Sequence, residues 1–273
     1  MQNSSAFPLR LITRKARFGV MLTLAAAGSI AALPAVAQTY DANADYNTNL
    51  VTGTNPNGVW TYGWSTNPTS VLTPYTSHHV LNISNPPNAN AWNDPSHIFG
   101  NIPGVYKNTG PDYPDDGNIS IPAGALILHG GGPNGSGGFE NDFSQVVFTA
   151  PSDGNYALAS TFQLRQHNVL PARVEVLENG TILFNDTLSS FLQSSSYSNT
   201  FHLNAGNTLD FAVGFASPPA AVSGNSVKLS STITAVATPE PGAIALLLSA
   251  MAPALALLRR RRLAGNHTSS TDR

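Results

Sequence analysis

The sequence predicts an all-β protein, an antiparallel β-sandwich held between two terminal apolar helices. Three observations lead there. From Phe143 onward apolar and polar residues alternate over short runs with no helical period. Gly 23 and Pro 20 punctuate the chain while only 10% of residues are charged, the opposite of a Glu/Lys-rich helical protein. The long apolar runs stand only at the two ends, each beside a cluster of basic residues.

Residues 1–37 read as a secretory signal. Arg10, Arg14, Lys15 and Arg17 form a basic leader, Phe18 to about Leu33 an apolar helix, and Ala35-Val36-Ala37 a small-x-small cleavage site at Ala35 and Ala37. Residues 38–238 form the body. It holds four basic residues (Lys107, Arg165, Arg173 and Lys228) against thirteen acidic ones, a net charge of −9. That balance excludes nucleic acid as a partner and favours a cation or a neutral polymer. With no cysteine, an exported body of this length must rest on an ordinary core.

Within the body, Val59–Trp64 and His79–Ile83 read as strands, and Asn85–Asn93 and Asn108–Asn118 as loops. The first half is too poor in apolar runs to bury a core alone, so its strands are expected to pair with the second half. Ala125–Leu128 is a strand, followed by the glycine-rich loop Gly130–Gly138. Gln145–Ala150 is a strand stopped by Pro151, and Tyr156, Leu158, Phe162 and Leu164 share one face of the next. Arg173–Leu177 alternates Val174 and Val176 with Arg173 and Glu175. Asn179-Gly180 then predicts a two-residue hairpin turn into Thr181–Thr187. Phe201–Leu203, the turn Asn204–Asn207, an alternating run from Leu209 to Phe215, and Val227–Val236 complete the set.

Residues 239–262 have three parts: Pro239-Glu240-Pro241, the uncharged run Ala243–Leu258, and Arg259-Arg260-Arg261-Arg262. The run is slightly shorter than the ~20 residues of a stable membrane span. The arginines would stay cytoplasmic and leave the body outside the inner membrane. Residues 263–273 form a polar tail. This arrangement resembles the PEP-CTERM sorting signal of Gram-negative exported proteins. The resemblance implies that an exosortase recognises Pro239, Glu240 and Pro241 and removes the tail, with Ala243–Leu258 as a transient span and Arg259–Arg262 as its stop. It also implies a host that makes exopolysaccharide, and delivery to the cell surface or extracellular matrix.

The second half resembles the jelly-roll domains of carbohydrate-binding modules. Phe148-Thr149-Ala150-Pro151 with Gly154-Asn155-Tyr156, Val174-Glu175-Val176 with Asn179-Gly180-Thr181, and Leu203–Phe211 carry that likeness. These are turn and core residues, so it implies a fold more than a ligand.

Trp60, Tyr62 and Trp64 alternate on one strand face, and Trp92 lies in an Asn-rich stretch. As an exposed row they would stack on sugar rings; the other reading is that they fill the core. Asp112, Asp115 and Asp116 cluster in a turn-rich loop that either holds a structural Ca²⁺ or is a plain solvated turn. His129-Gly130-Gly131-Gly132 has the form of an esterase oxyanion loop, but no Gly-x-Ser-x-Gly accompanies it. His78 and His79 are adjacent on a strand and so face opposite ways, and a shared metal there is excluded. Two functions follow as expectations. One is a non-catalytic structural or glycan-binding matrix protein. The other is a polysaccharide hydrolase with a carboxylate pair among Asp112, Asp115, Asp116, Glu140 and Asp142.

Overall fold

The computed structural model describes residues 37–48, 53–81, 89–93, 103–131, 142–167, 170–217 and 225–236. Their strands, numbered in chain order, make two sheets packed face to face. Across the larger sheet run β12 (Ser194–Leu203), β9 (Gly154–Leu164), β14 (Val227–Val236), β7 (Leu126–His129), β6 (Gly104–Asn108), β5 (Ala89–Asn93) and β4 (Ser77–Leu81). A short β1 (Thr39–Asp41) pairs with the far half of β14. The smaller sheet runs β11 (Thr181–Leu188), β10 (Ala172–Glu178), β13 (Thr208–Phe215), β8 (Phe143–Thr149), β2 (Trp60–Ser65) and β3 (Thr73–Pro74). The ladders are antiparallel, and chain neighbours repeatedly cross between sheets, as in a jelly-roll-like sandwich.

The alternation read from the sequence explains the core. Tyr156, Leu158, Phe162 and Leu164 point inward from β9, and Val174 and Val176 from β10. They meet Trp60, Tyr62, Val146, Phe148 and Phe211, each at most 1% exposed. Every such side chain contributes about 1.5–3 kcal/mol of apolar burial. The first half is woven through the second: β2 lies against β8, and β7 and β1 share one side of β14. At the hairpin, Asn179 has φ 48° and Gly180 φ 77°, the positive pair that a two-residue turn with this hand of twist requires.

Several elements differ from expectation. β5 occupies most of what reads as the loop Asn85–Asn93, and β6 ends where the second loop begins. β12 extends back over the serine-rich stretch from Ser194, paired with β9 through ten residues without a register shift. Glu175 belongs to the outer face of β10, yet it is fully buried. The segment 66–72 crosses that face, where Gln145 Nε2 donates to Ser65 Oγ at 2.8 Å, and Arg173 forms an ion pair with Glu175. On the same face Phe143 lies flat on Gly214; a Cβ there would come within 2.6 Å of the ring, so only glycine fits.

Candidate functional site

Over the middle of β12, β9, β14 and β1 the side chains opposite the core are small and mostly hydroxylated. Register sets them in rows across the sheet: Ser196–Thr161–Ser230, then Ser198–Ala159–Thr232–Asp41, then Thr200–Ala157–Thr234–Thr39. Hydroxyls bond along these rows, Thr161 to Ser196 at 2.8 Å and Thr39 to Thr234 at 3.3 Å. Because no bulky residue rises from this floor, the sheet's curvature leaves a groove of about 400 Å³.

The turn after β1 makes one wall. Asp41 Oδ1 accepts hydrogen bonds from the amides of Asn43 and Ala44 at 2.9 Å each, and Lys107 Nζ donates to the Asn43 carbonyl at 2.6 Å. Asp41 is the one carboxylate among the described lining residues, and it is occupied in bracing the turn. Among the described lining residues the groove offers many neutral donors and acceptors, one aromatic residue, Tyr197, whose ring stacks on Phe184, and no second carboxylate. Its groups are of the kind that exchange hydrogen bonds with the hydroxyls of polyhydroxylated molecules. The sequence did not point to it: its residues come from four strands scattered between Thr39 and Thr234.

The aromatic row is placed elsewhere, and the exposed-row reading is corrected. Trp60 is 1% exposed, Tyr62 0% and Trp92 4%, while Trp64 is half-buried against the same core. Tyr62 and Trp92 stack at 6.4 Å, and His78 stacks on Trp92 at 4.3 Å. The Trp60 indole donates to Asp45 Oδ2 at 3.0 Å. Burial raises the Tyr62 phenol well above its ordinary pKa and lowers that of His78. These rings join the two sheets and present no exposed row.

The acidic loop is also turned to structure. Asp112 Oδ1 accepts from the Ala123 amide at 2.7 Å. Asp115 accepts from the Gly117 amide and from His167 Nε2, both at 2.9 Å. Asp116 accepts from the amides of Asn118 and Ile119 and from the Tyr113 hydroxyl. Backbone donors hold Asp115 and Asp116 below the usual carboxylate pKa. Among the described residues no group of three or more His, Asp or Glu side chains is placed to hold a metal ion. Asp142 is buried beside β8.

His129 ends β7 as a buried residue with Nδ1 2.8 Å from the Gly130 carbonyl; the Gly130 amide donates to Asn225 Oδ1 at 3.0 Å, a brace between loops. Ala37 is exposed just before β1, where the Ala235 amide donates to the Gln38 carbonyl at 2.8 Å. Ala35, Glu140, Pro239, Glu240, Pro241 and Arg259–Arg262 lie outside the described residues.

No family model and no curated protein matches this chain. Among solved structures it is similar to a family 35 carbohydrate binding module from Clostridium thermocellum, at 19% identity over 40% of this chain and 91% of that one, with a TM-score of 0.24. It is similar to the CBM51 module from Clostridium perfringens GH95, at 10% identity over 58% and 93% with a TM-score of 0.30. Murine APRIL gives 16% identity over 40% and 98%, with a TM-score of 0.25.

Proposed function

We propose that residues 38–238 are a non-catalytic binding module that holds a neutral polysaccharide in the groove over β12, β9, β14 and β1. In this reading the N-terminal signal exports the chain and the PEP-CTERM-like tail anchors it transiently in the inner membrane. An exosortase then releases it to the cell surface or extracellular matrix, where exopolysaccharide is its partner. The observation that carries the binding role is the groove itself: exposed, about 400 Å³, and floored by serine and threonine hydroxyls with a single, already occupied carboxylate. Neutral hydroxyl floors match sugar hydroxyls without the desolvation cost of burying charge.

The test is a pull-down with a panel of neutral and acidic polysaccharides on residues 38–238. Ala159 lies at mid-floor between Ser198 and Thr232, and its side chain is exposed. Ala159→Arg fills the groove from a position that packs against nothing in the core. Retention of a neutral polysaccharide by the native protein and its loss in Ala159→Arg, at unchanged melting temperature, is the expected result. Equal retention by both, or no retention by either, would remove the groove from the account. Trp92→Ala is unsuited to this purpose, since it empties part of the core.

A further inference from the structure

Among the described strands the free edges are those of β1, β3, β4, β11 and β12, and all but the last are defended against pairing, β1 by being three residues long. β3 is two residues long and ends in Pro74; β4 has five residues; β11 carries Asp186 and faces a register shift at Val176/Leu177 of β10. β12 has no such device among the described residues. It is ten residues long, regular throughout, and contains no Asp, Glu, Lys, Arg or Pro. Folded proteins ordinarily blunt such an edge, because its free amides and carbonyls template another strand. It is also held rigid from below: Phe184 of β11 stacks on Tyr197 at 5.2 Å, and Ser195 Oγ donates to Asp186.

We propose that β12 pairs antiparallel with β12 of a second copy of this chain, so that two larger sheets join into one. Charge argues for this occupant. The body carries a net −9, so two copies repel over most of their surfaces, and β12 is a stretch where they meet without opposing charges. A basic partner would instead be drawn to the carboxylates elsewhere. The strand is also self-complementary. A two-fold axis through Ser198 sets Ser198 against its own copy, Ser196 against Thr200, and Tyr197 against Asn199. Serine against threonine is the pairing the sheet already uses at Thr161 and Ser196, 2.8 Å apart. Because Ser196 and Ser198 are also groove residues, the dimer lays two hydroxyl floors side by side; that consequence rests on the groove reading, whereas the pairing itself does not.

Both sheets and their shared core fall within one contact unit, Pro34–Pro239, so residues 38–238 are the appropriate sample. Sedimentation equilibrium up to millimolar protein, without polysaccharide, is expected to give twice the monomer mass. Asn199→Glu, at an exposed site outside the groove lining and off its hydroxyl rows, places a carboxylate on each side of the axis and is expected to restore the monomer mass with an unchanged circular dichroism spectrum. Amide exchange of the native protein should show concentration-dependent protection confined to 194–203. A monomer at all concentrations, a dimer that survives Asn199→Glu, or protection at another site would each overturn the proposal. Polysaccharide retention by the monomeric variant separates the two readings: a dimer that binds no polymer leaves the edge pairing intact and removes only the groove.

Discussion

Asp210 shows what a single residue on the wrong side of a solvent boundary does. Alternation along β13 turns it away from the core, yet it is largely buried on the outer face of the smaller sheet, between Val147 and Leu177. Its Oδ1 has no hydrogen-bond partner among the described residues, and burial pushes its pKa from the usual 3.8 up to about 6. A carboxyl whose folded pKa is raised binds its proton more tightly in the native state. Stability is therefore lost as pH rises from about 4 to about 6, and the loss persists above that. Asp210→Asn, the same shape without charge, is expected to raise unfolding free energy at pH 7 by about 1–3 kcal/mol. Urea titrations at pH 7 and pH 4 check this, because the gain should vanish at the lower pH. Trp60, Tyr62 and Trp92 teach the complementary lesson about what the sequence showed at this scale. Period-two spacing put Trp60 and Tyr62 on a common face, but it cannot say which face is covered. That depends on β5 lying opposite, where Trp92 stacks on Tyr62, and the Asn-rich stretch around β5 gave no sign of a strand.

Elements were legible where burial set the pattern and illegible where pairing alone did. β8, β9, β10, β13 and β14 each carry apolar residues at alternate positions, so their existence and inward faces followed from spacing. Serines 194–196 and 198 carry little strand preference of their own, and they form β12 because ten residues of β9 supply the opposite ladder. The groove was hidden for the same reason, since serine and threonine at alternate sites are common on any solvated strand. The segment 109–125 is a further case, a strap whose Tyr113, Ile119 and Ile121 cover the outer face of β5, β6 and β7. Arg165 fastens it, with Nε donating to the Ser120 carbonyl at 2.8 Å and a second nitrogen to Ser120 Oγ at 2.9 Å. Arg165→Ala should cost about 2–3 kcal/mol and remove exchange protection at residues 118–121 before the sheets open. Midway along the strap, the Gly117 amide and then His167 hold Asp115 below the usual carboxylate pKa. That contribution is present above the ordinary aspartate range and lost as pH falls through the folded pKa. Asp115→Asn should accordingly flatten the acid limb of the stability profile.

For the whole molecule, the weave of the two halves decides what can fold. β8 has β13 on one side and β2 on the other, and β14 has β9 on one side with β7 and β1 on the other. Residues from 143 onward supply ten residues of pairing between β9 and β12 and seven between β10 and β13, which would suggest a self-sufficient half. Its core says otherwise. Phe148 packs at 5.2 Å on Tyr40 and at 5.5 Å on Trp60, both from the first half, and Val227 and Leu229 of β14 lie beside Leu128 and Leu126 of β7. Removing residues 38–142 would uncover these side chains and leave β8 and β14 as unprotected edges at the same time. A fragment of residues 143–238 is thus expected to lack a cooperative thermal transition and to aggregate, whereas residues 38–238 unfold in one step. Calorimetry on the two samples decides it. A cooperative transition in the fragment would mean that the second half carries the core alone, and that β1 and β7, with the Asp41 wall of the groove, dock onto a sandwich already formed.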